Sequence, residues 1–483
     1  MLRPHHAPER GSSLVEYGAV ILLVAGIVAT VALTNVPAKV GGMFSHGMDC
    51  ILRLGECERP DGGSGPQAAP GEDDGTPSDR RVVAPPDGNA IPPENADLPE
   101  ENGRPENADL PASTGPADEE VVVEPVVFGW FDGDDPGLVP DPETKPDEVN
   151  DWWEGLSEAE REEVMREEPE NIRGLDGVPA EVRNELNREF LDAEVERMLE
   201  EEGLTPDEAL EFTLEEVRDD PVPGAPSLEL WEMLKLQRTV SAEGSDHYIL
   251  TLDPDEGRAI VSTGNPDTAD NVATLVPGTG IEWTAINGQL GRAQNLREAA
   301  ARVDEEADHA VVSWIGYDSP NWGQAPFGGK AEDGKDDLQD FQYGLRVTHE
   351  GEPSNNTLIG HSYGSVVVGH AARNDSGVYV DNIILVGSPG IGGTVDELNF
   401  DGDIEDVHVA MSDEDWINQN ALKGFHDYDE LYDGLEDSGA SRIETGPETE
   451  HDGYFNQEED EESGEKVDTT ELRQFGGIIA GAE

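Results

Sequence analysis

Lysine is scarce in this chain, seven residues among 483 beside 23 arginines. Against 107 Asp and Glu, the 30 basic residues leave a formal net charge of −77. Nucleic acid binding needs a basic face that displaces counterions from phosphates, so this balance argues against a nucleic acid partner. It argues equally against attraction to an anionic lipid surface. Cysteine occurs twice, with no CxxC pair and no zinc-ligand spacing, and no cofactor is implied. Aromatics are sparse at 6%, yet hydrophobic residues reach 35%, enough for one sizeable core if they are concentrated. What is abundant is acid, with 55 Gly and 34 Pro, so a good part of the chain is turn or linker. High acidity with few lysines is the composition of proteins bathed in strong brine, and a solvated tail gives the same totals.

Residues 1–45 hold the longest apolar run. From Tyr17 to Ala38 no residue is charged, and these 22 residues suffice to cross a hydrocarbon core of roughly 30 Å. Arg3 and Arg10 precede the run and favour a cytoplasmic N-terminus. A secretory signal would also be apolar, but this run is long for one and lacks a small-residue cleavage pattern. Glu16 stands at its edge, where a carboxylate is costly unless paired. The segment Gly11-Ser12-Ser13-Leu14-Val15-Glu16-Tyr17 resembles the prepilin signal of Flp-type pilins. That resemblance implies cleavage after Gly11, a pilin-like anchor and pilin-like subunits as partners. Beyond the run, Cys50 and Cys57 read as one small disulfide loop on the exported side, with two free thiols as the other reading.

Residues 46–120 complete the disulfide loop and continue as an acidic Pro/Gly-rich linker in which PENADLP occurs twice, at 93–99 and 105–111. Such composition buries too little surface to offset chain entropy and predicts a disordered, extended stalk. Residues 121–245 form the linker end and a helical region. VVVEPVVF at 121–128 has the pattern of a short edge strand or of the sticky start of the next domain. Asp132, Asp134, Gly137 and Glu143 fall at calcium-loop offsets, but Pro136 interrupts them, and an acidic loop is the better reading. DWWEGLSEAEREEVMREEPENI opens with acidic capping chemistry, Ser157 and Glu160 forming a capping box, and continues with helical spacing. A second helix runs from Pro179 to its stop at Gly203, and a third spans about 227–237. This region carries no catalytic cluster.

Residues 246–483 alternate short Val/Ile/Leu runs with helical stretches. HYILTLDPDEGRAIVST reads as a hairpin; NVATLV, AVVSWIGYD, NTLIGHS, VDNIILVG and DVHVAMSD then follow as strands with helices between several of them. That alternation predicts an α/β fold with a mostly parallel sheet and helices on both faces. At the end of NTLI stands Gly360-His361-Ser362-Tyr363-Gly364, a G-x-S-x-G between strand and helix. The turn this motif makes is tight enough that Cβ atoms at Gly360 and Gly364 would clash, and it pushes Ser362 Oγ into a cleft at a helix N-terminus. A serine hydroxyl needs a base oriented by an acid. In this chain order the acid follows a later strand: Asp415 is preferred, with Asp413 as the alternate. Of the later histidines, His370 and His408 read as structural. His451, on a loop near the C-terminus, occupies the position expected of the base, with His426 as the alternate. Backbone N–H groups of Tyr363 and of Thr279, in the small-residue loop Pro277–Gly280, are the candidate oxyanion donors.

The same half, together with the helices upstream of it, resembles the actinobacterial α/β-hydrolase family catalogued as a domain of unknown function, through WWEGLSEAEREEVMREEPENIRGLDGVPAEVRNELNREFL, VPGTG, WIGYDSP, GHSYG and LRQFGGIIAG. The match runs over roughly 150–483. It implies the triad Ser362, Asp415 and His451, and these residues read as a serine hydrolase acting on esters or related acyl compounds through an acyl-enzyme. The expectation is therefore a single-pass membrane protein with an extracytoplasmic esterase-like domain and a small-molecule or lipid-like acyl substrate. Transfer of the acyl group to an alcohol fits the same residues. The rival reading is a pilin-like structural or adhesive subunit that displays a non-catalytic hydrolase-like domain.

Overall fold

A computed structural model describes residues 139–482 except 220, 375, 420–425, 434 and 461–463. The prepilin-like segment, the apolar run at 17–38, Cys50, Cys57, the linker, the 121–128 run and most of the acidic loop lie outside the described residues. No helix among the described residues is long and apolar enough to cross a membrane.

Eight strands form one sheet: β1 (His247–Asp253), β2 (Arg258–Thr263), β3 (Asn271–Val276), β4 (His309–Ile315), β5 (Asn355–His361), β6 (Asn382–Val386), β7 (Val407–Ala410) and β8 (Ser441–Ile443). Their order is β1-β2-β4-β3-β5-β6-β7-β8. β1 pairs antiparallel with β2, and β2 with β4; every later pairing is parallel. This mostly parallel sheet has the α/β-hydrolase fold. Every residue of β3 and β4 is buried, which is why those segments read as near-continuous apolar runs instead of alternating ones.

Helices cover both faces. In chain order the longer ones are α1 (Pro146–Gly155), α2 (Glu158–Glu167), α3 (Ala180–Glu202), α4 (Leu228–Val240), α5 (Ile286–Val303), α6 (Gly329–Thr348), α7 (Tyr363–Ala372) and α8 (Thr470–Ile479). The period of two sorts each strand between two cores. Val272, Val276, Leu358 and Leu385 pack with Leu338 and Phe341 of α6 and Val366 and Val367 of α7. Their neighbours Ala273, Leu275, Ile359 and Ile384 pack with Leu296 and Ala300 of α5 and Phe475 and Ile479 of α8.

The helical stretch expected from 151 breaks into α1, α2 and a short turn at Pro169–Ile172. Ser157 accepts the Glu160 N–H and the Glu160 carboxylate returns to Ser157 N–H, so the break falls where the capping box begins α2. α3 ends on Gly203, whose φ of +70° is a left-handed stop. The third helix runs on to Val240, past its expected end, where Val240 extends the buried face made by Met233, Leu234 and Leu236.

α3 lies along the edge strand and occupies backbone groups that an edge leaves open. Arg183 Nε donates to Leu250 O at 2.8 Å, and Ile249 N–H donates to Asn184 Oδ1 at 3.0 Å. Leu252 N–H donates to Asn187 Oδ1 at 3.2 Å. Covering an edge this way blocks strand addition. β2, β4 and β3 separate β1 from β5, so α3 protects a sheet edge well away from the G-x-S-x-G turn.

Candidate active site

β5 stops at His361 and α7 starts at Tyr363, leaving Ser362 as the single residue of the turn, with φ +54° and ψ −126°. A non-glycine residue in that region carries strain on the order of 1–3 kcal/mol and persists only where its surroundings enforce it. The two glycines of the motif are part of that enforcement. A Cβ on Gly360 would fall 2.6 Å from Ser365 Cα, and one on Gly364 would fall 2.1 Å from Val276 O. Ser362 N–H donates to Val386 O at 2.9 Å, and Ser365 Oγ donates to Ser362 O at 2.5 Å. The serine is thereby fixed at the N-terminus of α7, beside the ends of β3 and β6.

Asp415 and His451 meet at the end of β6. His451 Nδ1 lies 3.0 and 2.9 Å from the two Asp415 oxygens. The carboxylate only accepts, so Nδ1 carries the proton and Nε2 is left for other work. Both residues press on Gly387: a Cβ there would lie 2.8 Å from Asp415 Oδ2 and 3.1 Å from His451 Nδ1. Asp415 is fully buried, and it also accepts from Tyr454 O–H at 2.7 Å and Ile417 N–H at 2.8 Å. Burial alone would raise its carboxyl, but the bonds and charge from His451, with Tyr454 and Ile417, hold it below the usual carboxylate value.

Gly278 brings the Pro277–Gly280 loop against the serine, since a Cβ on it would sit 2.6 Å from Ser362 Cβ and 3.0 Å from Oγ. Two hydroxyls from the loop after β4 fix this turn. Tyr317 O–H donates to Pro277 O at 2.9 Å, and Ser319 O–H donates to Gly278 O at 3.0 Å. With the Gly278 carbonyl engaged, the Thr279 N–H across the trans peptide points the opposite way. Tyr363 N–H belongs to the first turn of α7, where backbone donors have no helical acceptor.

The alternates lie elsewhere. Asp413 is exposed, two residues before the buried Asp415. His426 uses Nε2 on Ala325 O at 2.7 Å, and His370 Nδ1 faces Glu332 at 3.0 Å. His408 is a half-buried residue of β7, its imidazole held low by burial.

Five contributors were not legible from the sequence as site residues. His361, the variable position of G-x-S-x-G, is buried and donates from Nε2 to His451 O at 2.9 Å. Burial, then the neighbouring His451, push its imidazole down to about 3. Tyr454 clamps Asp415, and Trp416 sets its ring edge-on to His451 at 4.9 Å between centroids. Tyr317 and Ser319 hold the Gly278 turn. The available signal was proximity in sequence: Trp416 adjoins Asp415, Tyr454 follows His451 by three, and WIGYDSP contains both hydroxyls.

Residues 253–423 match a family model described as alpha/beta hydrolase. The uncharacterized protein Rv2079 of Mycobacterium tuberculosis is 30% identical over 315 residues, covering 59% of this chain and 46% of that protein. A second protein of that species, the uncharacterized Rv0963c, is 30% identical over 174 residues, covering 34% of this chain and 64% of its own length. The chain thus spans about half the length of the first of these relatives. Among solved structures, esterase LipW from Mycobacterium marinum aligns with a TM-score of 0.31 at 12% identity, over 53% of this chain and 87% of that one.

Proposed function

We propose that the catalytic half is a serine hydrolase that cleaves carboxylic esters or related acyl compounds through an acyl-enzyme on Ser362. The observation that carries this reading is the positive φ of Ser362, a strained serine held between β5 and α7 with Gly278 against its side chain. Ser362 Oγ attacks the acyl carbonyl while His451 Nε2 takes its proton, and the resulting imidazolium is stabilised by Asp415. The carbonyl oxygen, now an alkoxide, accepts from the N–H groups of Tyr363 and Thr279. Collapse of the tetrahedral adduct breaks the ester C–O bond, and the leaving alcohol takes the proton from His451. Water then attacks the acyl-enzyme by the same route, returning its proton through His451 and releasing the acid.

The test is covalent. A fluorophosphonate probe labels the folded wild-type chain, and labelling disappears in Ser362→Ala. A folded wild-type chain that takes no label over the concentration range that labels common serine esterases would sink the reading.

We place this activity outside the cytoplasm, with the chain held to the membrane or to a pilus by its N-terminal segment. The charge-free run at 17–38 and the pilin-like Gly11, Glu16 and Tyr17 support that placement. The full chain, expressed in a bacterium, stays with membranes through alkaline carbonate extraction. Its appearance in the extracted supernatant would overturn the tether.

A further inference from the structure

Trp322 and Phe327 are the two large aromatic side chains left exposed among the described residues, at 67% and 65%. Both stand on the loop that runs from the end of β4 to α6, and that loop is fastened to the site on several sides. Ser319 O–H donates to Gly278 O, and Gly280 N–H donates to Pro320 O at 3.0 Å. Tyr363 O–H donates to Phe327 O at 2.8 Å, and His426 Nε2 to Ala325 O at 2.7 Å. Asn321 Oδ1 accepts from Gly323 N–H at 2.9 Å and Gln324 N–H at 3.2 Å, shaping the tip that carries Trp322. The exposed indole is therefore held by a built turn tied to the oxyanion loop and to α7.

The aromatic surface continues inward. Trp322 packs on Trp416 at 5.6 Å between centroids, and Trp416 packs on His451 at 4.9 Å. A row of rings thus leads from solvent to the proposed general base. An exposed indole that leads through the half-buried Trp416 to a buried imidazole is the kind of apolar surface that marks a binding site, and it stands out on a chain with a net charge of −77. Asp413 and Glu414, exposed beside Trp416, add negative charge next to the row.

We propose that Trp322 and Trp416 form the acyl-chain subsite, which takes the apolar acyl group of an uncharged ester and disfavours acyl groups carrying negative charge. This deepens the serine-hydrolase reading and rests on it. The occupant is the substrate's acyl group because the loop carrying Trp322 is tied through Ser319 and Gly278 to the turn around Ser362, where the acyl carbon forms its bond, while Trp416 continues the row to His451. A second copy of the chain or a lipid surface would need no such continuity with the imidazole. An acetyl group has no carbon beyond its methyl to reach Trp322, whereas an octanoyl chain extends along the row, so Trp322 should act on selectivity. Loss of such apolar contact changes specificity by roughly tenfold or more.

The experiment measures kcat/KM on soluble p-nitrophenyl acetate and octanoate for wild type, Trp322→Ala and Trp322→Phe, all below the micellar range. The expected result is that the octanoate-to-acetate ratio falls about tenfold in Trp322→Ala and is largely restored in Trp322→Phe. An unchanged ratio overturns the subsite. So does a Trp322→Ala loss confined to emulsified substrate, which would make the patch a lipid-adsorbing surface. A Trp322→Ala change in oligomeric state by light scattering, with the ratio unchanged, would make it a subunit interface and overturn the subsite as well. Probe labelling of wild type, with its loss in Ser362→Ala, reports separately on the serine-hydrolase reading, so the two failures are distinguishable.

Discussion

Asp415→Asn lowers kcat on p-nitrophenyl esters by about four orders of magnitude, while Asp413→Asn stays within about twofold of wild type. The reason lies in the donors that Asp415 collects. Ile417 N–H and Tyr454 O–H each donate to a different oxygen of the carboxylate, and His451 Nδ1–H lies within bonding distance of both. An asparagine offers one oxygen and one NH2 group. Whichever way it turns, its NH2 meets a donor that expects an acceptor. If the NH2 faces His451, the imidazole must accept at Nδ1, its proton moves to Nε2, and it can no longer take the proton of Ser362. If the NH2 is turned toward Tyr454 or Ile417, a buried donor loses its acceptor, at a cost of about 1–3 kcal/mol. The variant is therefore slower and also less stable, which steady-state kinetics and thermal melting record independently. Equal kcat in Asp415→Asn and wild type would remove the acid from the mechanism, and a large loss in Asp413→Asn would move it.

The choice between those two aspartates shows how far the chain reads on its own. DEDWI offers three acids in a row, and strand-then-turn logic places an acid there without saying which. Burial decides: Asp415 faces Tyr454 and His451 from the segment beyond it, a contact 36 residues away from His451 in sequence. The elbow was legible because its requirements are local. Strand, glycines, serine and helix lie within one short stretch, and the steric reason for Gly364, its approach to Val276 O, comes from the strand that must pair beside it. Strand existence was legible for the same reason, since runs such as NVATLV and NIILV are bounded by glycine, proline or serine. Strand order was not, because which strands become neighbours depends on crossovers that no single segment encodes. Tyr317 and Ser319 were illegible as site residues because their partners are backbone carbonyls at Pro277 and Gly278, and a carbonyl leaves no mark in a sequence.

His361 should make the domain acid-labile in a way that one substitution removes. The ring is buried, donates from Nε2 to His451 O, and packs on His451 at 4.9 Å and on Phe455 at 5.4 Å. His451 and Arg292 oppose a positive charge on the ring, and Asp415 works weakly in its favour. Its folded value near 3 stands against an ordinary imidazole value of 6.5. Between those two values the unfolded chain binds a proton that the folded chain refuses, so stability rises with pH across that window. The contribution is complete above the unfolded value and is lost progressively as pH falls toward the folded one. At roughly 1.4 kcal/mol per pH unit, moving from neutral pH to pH 4.5 removes about 3 kcal/mol. Other groups work against this. Burial raises the carboxyls of Asp176 and Asp267, and a raised carboxyl contributes a slope of the opposite sign. Protonating surface carboxylates also relieves self-repulsion in a chain of net charge −77. The total curve therefore mixes opposing slopes, and the histidine is isolated only by difference. His361→Gln keeps an N–H donor for His451 O and does not titrate. Urea unfolding of both proteins at pH 7 and 4.5, in molar salt to screen the surface, yields the difference directly. Wild type should lose about 3 kcal/mol relative to His361→Gln over that interval. Parallel curves would show that the imidazole is protonated in the folded state, which the buried stack against His451 does not accommodate.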